Sequence, residues 1–341
     1  MPQFGHTLTR FPAGAPLSFA PHLRPQPWGG RRLADILGRA LPPAIRYGES
    51  WDLSGHPYHI SRVADGPCAG TTLQDLWACH QSVWSPGQPS GSFPWLLKFL
   101  DCHDYVSVQV HPNDELAGRF CPQERGKSEA WVVLDVDPGA RIYAGLRPGV
   151  DRDAVEVHLR SGTLVECLHS FEPRVGDCVY LPAGTVHSLG GGVLVAEVQQ
   201  TSDATLRLYD WNRPGLDGRP RPLQVAEALE SIDWSLGPVI PLPPVQLAVP
   251  APAVRRAELL VECDYFRWER YSADAGSWTA DSDQLAAWTI IEGAACLSHN
   301  GQRRSFGRGD TVLTPPSDVA CVWSFDAPAI LLKVTLPPVR R

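Results

Sequence analysis

The sequence of 341 residues lacks any long apolar run, and it contains little lysine and a single methionine. No segment approaches the roughly 20 consecutive apolar residues that a membrane-spanning helix requires. The first twenty residues, Met1–Ala20, contain scattered Pro and Gly and no apolar core of the kind found in signal peptides. We therefore expect no membrane partner and a cytoplasmic location.

Cysteines are present, but they form no recognisable framework. Their number, nine, is odd, and no Cys-x-x-Cys pair occurs. Disulfide frameworks use even numbers, and cysteine-based zinc sites use closely spaced pairs. We therefore predict reduced thiols in the core at Cys68, Cys79, Cys102, Cys121, Cys167, Cys178, Cys263, Cys296 and Cys321.

The charge balance is acidic, with a formal net charge of −7 and no basic stripe. This balance argues against a nucleic-acid partner. Any anionic ligand must then be held by a local cluster of positive side chains. Only three of the 30 basic residues are lysines, namely Lys98, Lys127 and Lys333.

Helical patterns are few, and short apolar runs dominate. Apolar residues at spacings of three and four predict helices over Gly29–Leu41, Thr71–Ser82 and Pro222–Trp234. Elsewhere, turn residues separate apolar or alternating runs, which is the pattern of strands. The runs are YVSVQV, EAWVVLDV, ARIYAGL, CVYLPAG, GVLVAEVQQ, WTIIEGAACLS, DTVLTPP and AILLKVTL. The sequence therefore predicts a mainly-β fold of the sandwich or jelly-roll type with a few short helices.

A proline-rich segment interrupts this pattern. Pro238–Pro252 holds six prolines in fifteen residues, too many for a helix or an interior strand. The segment suits an extended connector or a peripheral edge. We predict an N-terminal domain with flanking helices at 1–237, a connector at 238–253 and a C-terminal domain at 254–341.

The two sides of the connector resemble each other. Residues 173–198 and 305–334 share a Gly-Asp pair, an apolar run, a Pro and a strand that ends in Val. Residues 129–145 resemble 286–301 in the same way. A repeat of this length predicts two jelly-roll barrels of one type.

The second copy lacks two polar residues of the first. In the alignment, Glu129 falls opposite Ala286, and His187 falls opposite Ala320. If these polar residues served only the fold, both copies would keep them. We therefore expect the first copy to carry the chemistry and the second to be structural.

Three polar side chains share one face of a predicted strand. In VSVQVHPND, side chains alternate between faces, so Ser107, Gln109 and His111 project together, and Pro112 ends the pairing. The solvent-facing side of an antiparallel sheet has the same pattern. Taken alone, this strand leaves both a functional face and a solvent face open.

Two further residues of the metal-binding type begin other strands. His187 follows a tight turn in PAGTVHSLGGG, and Glu129 lies in GKSEAW. A lone His is more often structural, but two His and one Glu are the ligand set of an open catalytic zinc site. With a divalent ion, this set carries about one net positive charge, which favours an oxyanion on a substrate. Gln109 offers a further, neutral oxygen ligand.

A second charged cluster follows in AEVQQTSDATLRLYDWNR. Glu197 lies in phase with apolar residues of its predicted strand, and a buried carboxylate is costly unless it is paired or functional. Arg207, Arg213 and Lys127 supply positive charge suited to a phosphate or to proton transfer. Ordinary salt bridging among these groups and Asp203 is the alternative.

Seven motifs occur in order along the chain. They are WGG (28–30), GESWDLSGHP (48–57), FPWLLKFLD (93–101), SVQVHPND (107–114), GKSEAW (126–131), PAGTVHSLG (182–190) and QQTSDATLRLYDWNR (199–213). The series resembles the type I mannose-6-phosphate isomerases, zinc enzymes of the cupin fold, and more closely their short bacterial branch. Only 58 positions separate Glu129 from His187, so the helical insertion of longer members is missing.

The resemblance implies Zn²⁺ as the cofactor. His111, Glu129 and His187 match the zinc ligands of the family, and Gln109 matches a further ligand of longer members. The N-terminal domain is then the catalytic cupin domain, and the C-terminal domain is a degenerate cupin without metal ligands.

The resemblance also implies a substrate pocket. Arg207 matches the active-site arginine, and Ser107 and Lys127 match positions that line the sugar-phosphate pocket. Glu197 and Asp203 match acidic positions near the reacting carbons. Arg213 stands where longer members have a lysine, which is a departure from the family pattern.

The implied reaction interconverts mannose 6-phosphate and fructose 6-phosphate by proton transfer between C1 and C2 through an enediol-like intermediate. We expect Arg207, Lys127 and Glu197 to be catalytic, with the pKa values of Lys127 and Glu197 drawn toward neutrality by burial and neighbours. A non-catalytic sugar-phosphate-binding cupin and an iron-dependent cupin oxygenase are the alternatives. The expected partner is a small sugar phosphate, and the expected assembly is a monomer or homodimer.

Overall fold

A computed structural model describes residues 14–86 and 91–338 of the chain. Five helices lie in this part: α1 (Arg32–Asp35), α2 (Leu73–Trp84), α3 (Asp114–Phe120), α4 (Arg152–Ser161) and α5 (Val225–Ser231), together with a 3-10 turn at Leu164–Cys167. The strands are β1 (Leu17–Ser18), β2 (His22–Gly30), β3 (Tyr47–His56), β4 (His59–Ile60), β5 (Trp95–Cys102), β6 (Val108–Val110), β7 (Glu129–Val136), β8 (Ile142–Leu146), β9 (Leu168–Phe171), β10 (Cys178–Leu181), β11 (His187–Ser188), β12 (Val193–Gln200), β13 (Leu206–Tyr209), β14 (Val245–Gln246), β15 (Val254–Glu262), β16 (Arg267–Ala273), β17 (Gly276–Ala280), β18 (Ala286–Glu292), β19 (Ala294–His299), β20 (Gln302–Gly307), β21 (Thr311–Thr314), β22 (Cys321–Phe325) and β23 (Ala329–Thr335).

The chain divides into two compact units. The first unit consists of Leu23–Trp51 and Leu96–Pro243, and the second consists of the described residues among Met1–His22, Asp52–Trp95 and Pro244–Arg341. This division is discontinuous along the chain, whereas the domains predicted at 1–237, 238–253 and 254–341 are consecutive. That consecutive division stays a prediction.

The first unit is built on two antiparallel sheets. One has the strand order β10-β7-β12-β5-β3-β2, in which the end of β3, from Asp52 onward, belongs to the second unit, and the other has the order β13-β6-β11-β8-β9. An apolar core draws Val133 and Val195 from the first sheet and Ile142 and Ala144 from the second. The opposite face of the smaller sheet packs against residues of α4 and α5. Both faces of the smaller sheet are therefore covered.

The second unit repeats this plan. Its sheets have the orders β1-β21-β18-β23-β16-β15-β14 and β17-β22-β19-β20. Aromatic side chains fill its core, among them Trp278, Trp288, Trp323 and Phe306. The predicted mainly-β architecture of two jelly-roll units with a few short helices is confirmed.

The internal repeat is visible in the strand registers. Trp131 of β7 lies opposite Glu197 of β12, and Trp288 of β18 lies opposite Lys333 of β23. Both strands pair on their other side with a short strand, β10 or β21. The predicted correspondence of Glu129 with Ala286 follows directly, because each lies two residues before its tryptophan.

The helix predictions are confirmed in part. Thr72 caps α2 by accepting a hydrogen bond from the Asp75 amide at 3.0 Å, so this helix starts two residues later than predicted. The prediction over Gly29–Leu41 is wrong for most of its length, since β2 extends to Gly30 and α1 covers only Arg32–Asp35. A Cβ atom on Gly29 would lie 2.4 Å from the Tyr47 carbonyl carbon, so this glycine permits close strand packing.

Two helices were not predicted. Helix α3 has only seven residues, and α4 is largely polar. Both carry clear end signals, because Asn113 and Asp151 accept hydrogen bonds from the first-turn amides. Gly162 ends α4 in the left-handed conformation.

The connector and the cysteines largely follow expectation. Within Pro238–Pro252, only β14 forms a strand, and it is the edge strand of its sheet.

All nine cysteines are free thiols, and five are buried. The core prediction is wrong for Cys79, which is exposed, and Cys121, Cys263 and Cys296 are half-buried. None of the described helices is long and apolar enough to span a membrane.

Candidate metal centre and substrate cavity

Strand β6 and its two neighbours place candidate residues side by side. The register puts Arg207 of β13 and His187 of β11 on either side of Gln109. Ser107 and His111 lie two residues before and after, and Ser107 donates a hydrogen bond to Gln109 Oε1 at 2.9 Å. Ser107, Gln109 and His111 are all buried, which excludes the solvent-facing interpretation.

The larger sheet of the first unit supplies two acidic residues. Glu129 begins β7, and Trp131 lies on the same face two residues later. Trp131 Nε1 donates a hydrogen bond at 2.9 Å to Glu197 Oε2 on the neighbouring β12. Both glutamates are more than 95% buried, so each needs a partner or a ligand.

The side chains of His111, Glu129 and His187 converge on one point. Their ligand atoms all lie within 4.8 Å of one another, and this is the single group of its kind in residues 14–86 and 91–338. Glu129 Oε1 is 3.3 Å from His187 Nε2, and Glu129 Oε2 is 3.5 Å from His111 Nε2. Tetrahedral zinc with bonds near 2.1 Å spaces its ligand atoms by about 3.4 Å. The cluster therefore fits a metal ion of this size.

Backbone carbonyl groups fix both histidine rings. His111 Nδ1 lies 2.7 Å from the Ala204 oxygen, and His187 Nδ1 lies 2.9 Å from the Thr185 oxygen. Since a carbonyl only accepts, each Nδ1 carries the proton and each Nε2 presents a lone pair to the centre. Carbonyl groups that accept from the other ring nitrogen orient metal-ligating histidines in the same way.

The protonation states also suit a cation. Burial and the Lys127 ammonium lower the pKa of His111 to about 3, and burial lowers the pKa of His187. Both imidazoles are therefore neutral. Burial opposes the Glu129 carboxylate, but Lys127 and His111 lower its pKa well below its usual range.

The pKa of Lys127 differs from the prediction. Its Nζ lies 2.7 Å from Glu129 Oε2 and 3.1 Å from His111 Nε2. Although burial opposes the charge, the carboxylates of Glu129 and Glu197 raise the pKa of Lys127. The prediction that this pKa moves toward neutrality is wrong, because the acidic neighbours outweigh desolvation, and Lys127 is a stable ammonium group.

The pKa of Glu197 shifts toward neutrality, as predicted. Burial and the Glu129 charge raise the pKa of Glu197 to about 7 against the effect of Lys127 and Lys98. Its Oε2 is bound by Trp131, whereas its Oε1 lies 3.6 Å from Lys98 Nζ and has no hydrogen-bond partner among the described residues. One oxygen is therefore anchored, and the other is available to exchange a proton.

A pocket that encloses about 660 Å³ of empty space, open solvent included, lies beside the cluster. Its walls include the predicted residues Ser107, Gln109, Lys127, Glu129, His187, Glu197, Asp203 and Arg207. His111 lies behind this wall, within reach of Glu129. The charged groups of the wall are Arg24, Lys98, Lys127, Arg207, Arg221, Glu49, Glu129, Glu197 and Asp203.

Sequence reasoning missed several of these groups. Arg24 lies 3.3 Å from both Glu49 and Asp203, and its guanidinium stacks over the Trp51 ring. Lys98 is buried between the Trp51 ring and Glu197. A lysine inside the apolar run WLLKFL was a usable signal for Lys98. The Arg24 cluster joins β2, β3 and a distant loop, and no local pattern indicates it.

The three arginines Arg207, Arg213 and Arg221 differ in their side-chain partners. Arg207 lines the cavity, and none of its side-chain nitrogens forms a hydrogen bond with another described residue. Arg213 instead binds Asp210 at 2.8 Å and the Tyr105 carbonyl group, and it is not part of the wall. Arg221 binds both oxygens of Asp210 while lining the cavity. Arg207 is therefore the arginine best placed to take an anion.

The chain is similar to several known proteins. Residues 17–129 match the model of the phosphomannose isomerase type I catalytic domain. The chain is 33% identical over 303 residues to mannose-6-phosphate isomerase ManA of Bacillus subtilis, covering 88% of this chain and 93% of that protein. It is 28% identical over 311 residues to the mannose-6-phosphate isomerase of Streptococcus mutans, covering 91% and 95% of the two chains.

A solved structure gives the same result. The crystal structure of mannose 6-phosphate isomerase from Bacillus subtilis superposes with a TM-score of 0.86 at 29% identity, covering 94% of this chain and 99% of that one. Fold and site together define a jelly-roll protein with a buried His-Glu-His cluster that could hold a metal ion. The chain belongs to the type I phosphomannose isomerase family.

Proposed function

We propose that the protein is a cytoplasmic zinc-dependent aldose-ketose isomerase that interconverts mannose 6-phosphate and fructose 6-phosphate. The observation that carries this proposal is the convergence of His111, Glu129 and His187 on one point at the wall of a cavity that also presents Arg207. Family membership supports the substrate. Zinc held by protein ligands at the wall of the cavity would accept a substrate oxygen by expanding its coordination to five.

His111, Glu129 and His187 would hold the ion, with Gln109 as a fourth ligand. Gln109 Nε2 lies 3.3 Å from His187 Nε2, and the two ends of an amide are exchangeable by rotation. Rotation places the oxygen at the centre, and the Ser107 hydroxyl then accepts from the amide nitrogen. When bound, the metal polarises substrate oxygen atoms.

Glu197 is the proposed proton carrier. Its Oε1 removes the proton from C2 of the open-chain aldose and returns it to C1, and the proton of the C2 hydroxyl group passes to the C1 oxygen, so that the aldose is converted through an enediol to the ketose. A carboxyl with a pKa near the working pH suits both halves of this exchange. Lys127, as a permanent ammonium, donates hydrogen bonds to substrate oxygens.

The phosphate is the proposed ligand of the open side of the cavity. Arg207 offers unpaired nitrogen donors there, and a guanidinium binds phosphate in a bidentate manner. Ser107 adds a hydroxyl group at the neighbouring strand position. Asp203 lies at the same side, bound to Arg24, and we propose that it contacts sugar hydroxyl groups.

A coupled assay on purified protein tests the function. Mannose 6-phosphate should be converted to fructose 6-phosphate, a chelator should stop the reaction, and zinc should restore it. Binding of the sugar phosphate without turnover would instead indicate a binding protein, and iron-dependent oxygen consumption would indicate an oxygenase.

A further inference from the structure

Three polar residues outside the cavity wall connect the segments that carry the metal ligands. They are Asp114 of SVQVHPND, Ser128 of GKSEAW and Gln200 of QQTSDATLRLYDWNR, each from a different motif. We infer that this trio, here called the ligand clamp, positions the metal ligands. The inference rests on the proposed function, because it concerns the same metal site.

Ser128 joins the Glu129 strand to the turn before His187. Its Oγ accepts a hydrogen bond from the Ala183 amide at 3.1 Å. In the same turn, the Gly184 amide donates to the His111 carbonyl group at 2.8 Å. The turn therefore contacts the segments of both other ligands.

Gln200 fixes Ser128 from the other side. The side-chain oxygen Oε1 of Gln200 accepts a hydrogen bond from the Ser128 backbone amide at 2.9 Å. The Gln200 backbone amide donates to the Ser128 carbonyl group at 3.2 Å. Ser128 and Gln200 are both at least 95% buried. Loss of the Gln200 side chain leaves the buried Ser128 amide without this hydrogen bond, and loss of the Ser128 hydroxyl group leaves the half-buried Ala183 amide without its partner.

Asp114 completes the clamp just after His111. Its Oδ1 accepts from the Gly126 amide at 2.9 Å and from Gln200 Nε2 at 3.4 Å. A Cβ atom on Gly126 would lie 2.5 Å from the Asp114 amide nitrogen, so glycine permits this approach. The segment 126–128 is thereby held against the residues that follow His111.

The clamp sets the spacing of ligands that come from three separate segments. A metal ion tolerates little error in that spacing, and outer-shell partners typically change metal affinity or activity by about 10–100-fold. Asp114, Ser128 and Gln200 touch neither the ion nor the substrate in this account. They are positioning residues.

The test compares zinc affinity in Ser128→Ala and Ser54→Ala. Ser54 is an equally buried serine whose Oγ donates to the His59 carbonyl group and accepts from the His56 amide, but it lies in the second unit. Chelator competition should show zinc binding weakened about 10–100-fold in Ser128→Ala and unchanged in Ser54→Ala. Saturating zinc should restore much of the lost kcat, with KM for the sugar phosphate little changed.

A second pair of variants avoids dependence on the folding of Ser128→Ala. Asp114 is exposed, so Asp114→Ala should fold. It should weaken zinc binding, whereas Asp114→Asn, which keeps an acceptor oxygen, should restore most of the affinity.

Unchanged zinc affinity in both Ser128→Ala and Asp114→Ala would overturn the clamp. So would equal losses in Ser128→Ala and Ser54→Ala, because the effect would then follow stability alone. Failure of the proposed function has a different signature: wild-type protein would bind zinc with the predicted variant pattern and yet produce no fructose 6-phosphate.

Discussion

At the scale of single residues, the site is a set of buried titratable side chains that are each anchored on one side and face the metal position or the cavity on the other. Glu197 is anchored through Oε2 and free at Oε1. The two histidines are anchored through Nδ1, and their Nε2 atoms face the centre, where His111 Nε2 lies 3.1 Å from Lys127 Nζ and His187 Nε2 lies 3.3 Å from Gln109 Nε2. Side chains held in this way are preorganised, so little reorganisation is needed when a ligand arrives.

Arg207→Ala should lower kcat/KM by about 100-fold or more, because the guanidinium compensates negative charge in a partly desolvated cavity. Steady-state kinetics with mannose 6-phosphate would measure the loss. Arg141→Ala is a suitable control, since Arg141 pairs with Glu172 at the surface and does not line the cavity. Wild-type kinetics in Arg207→Ala would mean that this arginine serves only local structure.

Glu197 gives a pH-dependent contribution to stability whose sign is fixed by its raised pKa. The folded pKa of about 7 exceeds the ordinary value of 4.5, so the folded protein holds the proton more tightly. This stabilisation is present below pH 4.5 and is lost as the pH rises through 7.

The matching variant is Glu197→Gln, which cannot titrate. In urea denaturation with chelator present, the stability of wild type relative to Glu197→Gln should fall between pH 5 and pH 8. The variant should also lose isomerase turnover across this range. A relative stability that stays constant with pH would show that Glu197 titrates normally.

At the scale of secondary-structure elements, strand register and one turn determine which side chains meet. Gln109 lies between Arg207 and His187 because β6 pairs with β13 and β11. The turn that delivers His187 contains Gly184 at a φ of +90°, where a Cβ atom would lie 2.8 Å from Asp233 Cβ. Only glycine fits this position without displacement.

Gly184→Ala should lower the unfolding free energy by about 1–3 kcal/mol, since it adds backbone strain and a clash. The shift of the turn should also weaken zinc binding through His187. Gly218→Ala is the matched control, because Gly218 has a φ of +77° but open space around it. Denaturant titration of both variants measures the difference, and equal losses would exclude the clash as a cause.

The alternation of VSVQVHPND was enough to predict that Ser107, Gln109 and His111 share a face. Sequence could not decide whether that face is solvated, because the answer depends on β7 and β12 of another sheet. The sequence could not predict the groups around Arg24 for the same reason, since only the fold brings Glu49 and Asp203 next to Arg24. Helix α3 was missed because seven residues give too short a periodicity, although Asn113 marks its start.

At the scale of the whole molecule, two units share one plan and differ in what their interiors hold. The first unit places Glu129 and Glu197 on adjacent strands beside Trp131. At the equivalent registers, the second unit has Ala286 and Lys333 beside Trp288, and aromatic rings fill its core. The second unit therefore lacks the acidic ligand position, and we expect a single metal ion per chain.

The measurement that tests this account most directly is the zinc content per chain of wild type and His187→Ala, determined together with isomerase turnover. We expect one zinc ion per chain and isomerisation of mannose 6-phosphate in wild type, and loss of both in the variant, whose folding is checked by circular dichroism. A folded His187→Ala protein that isomerises mannose 6-phosphate at the wild-type rate without bound metal would contradict it.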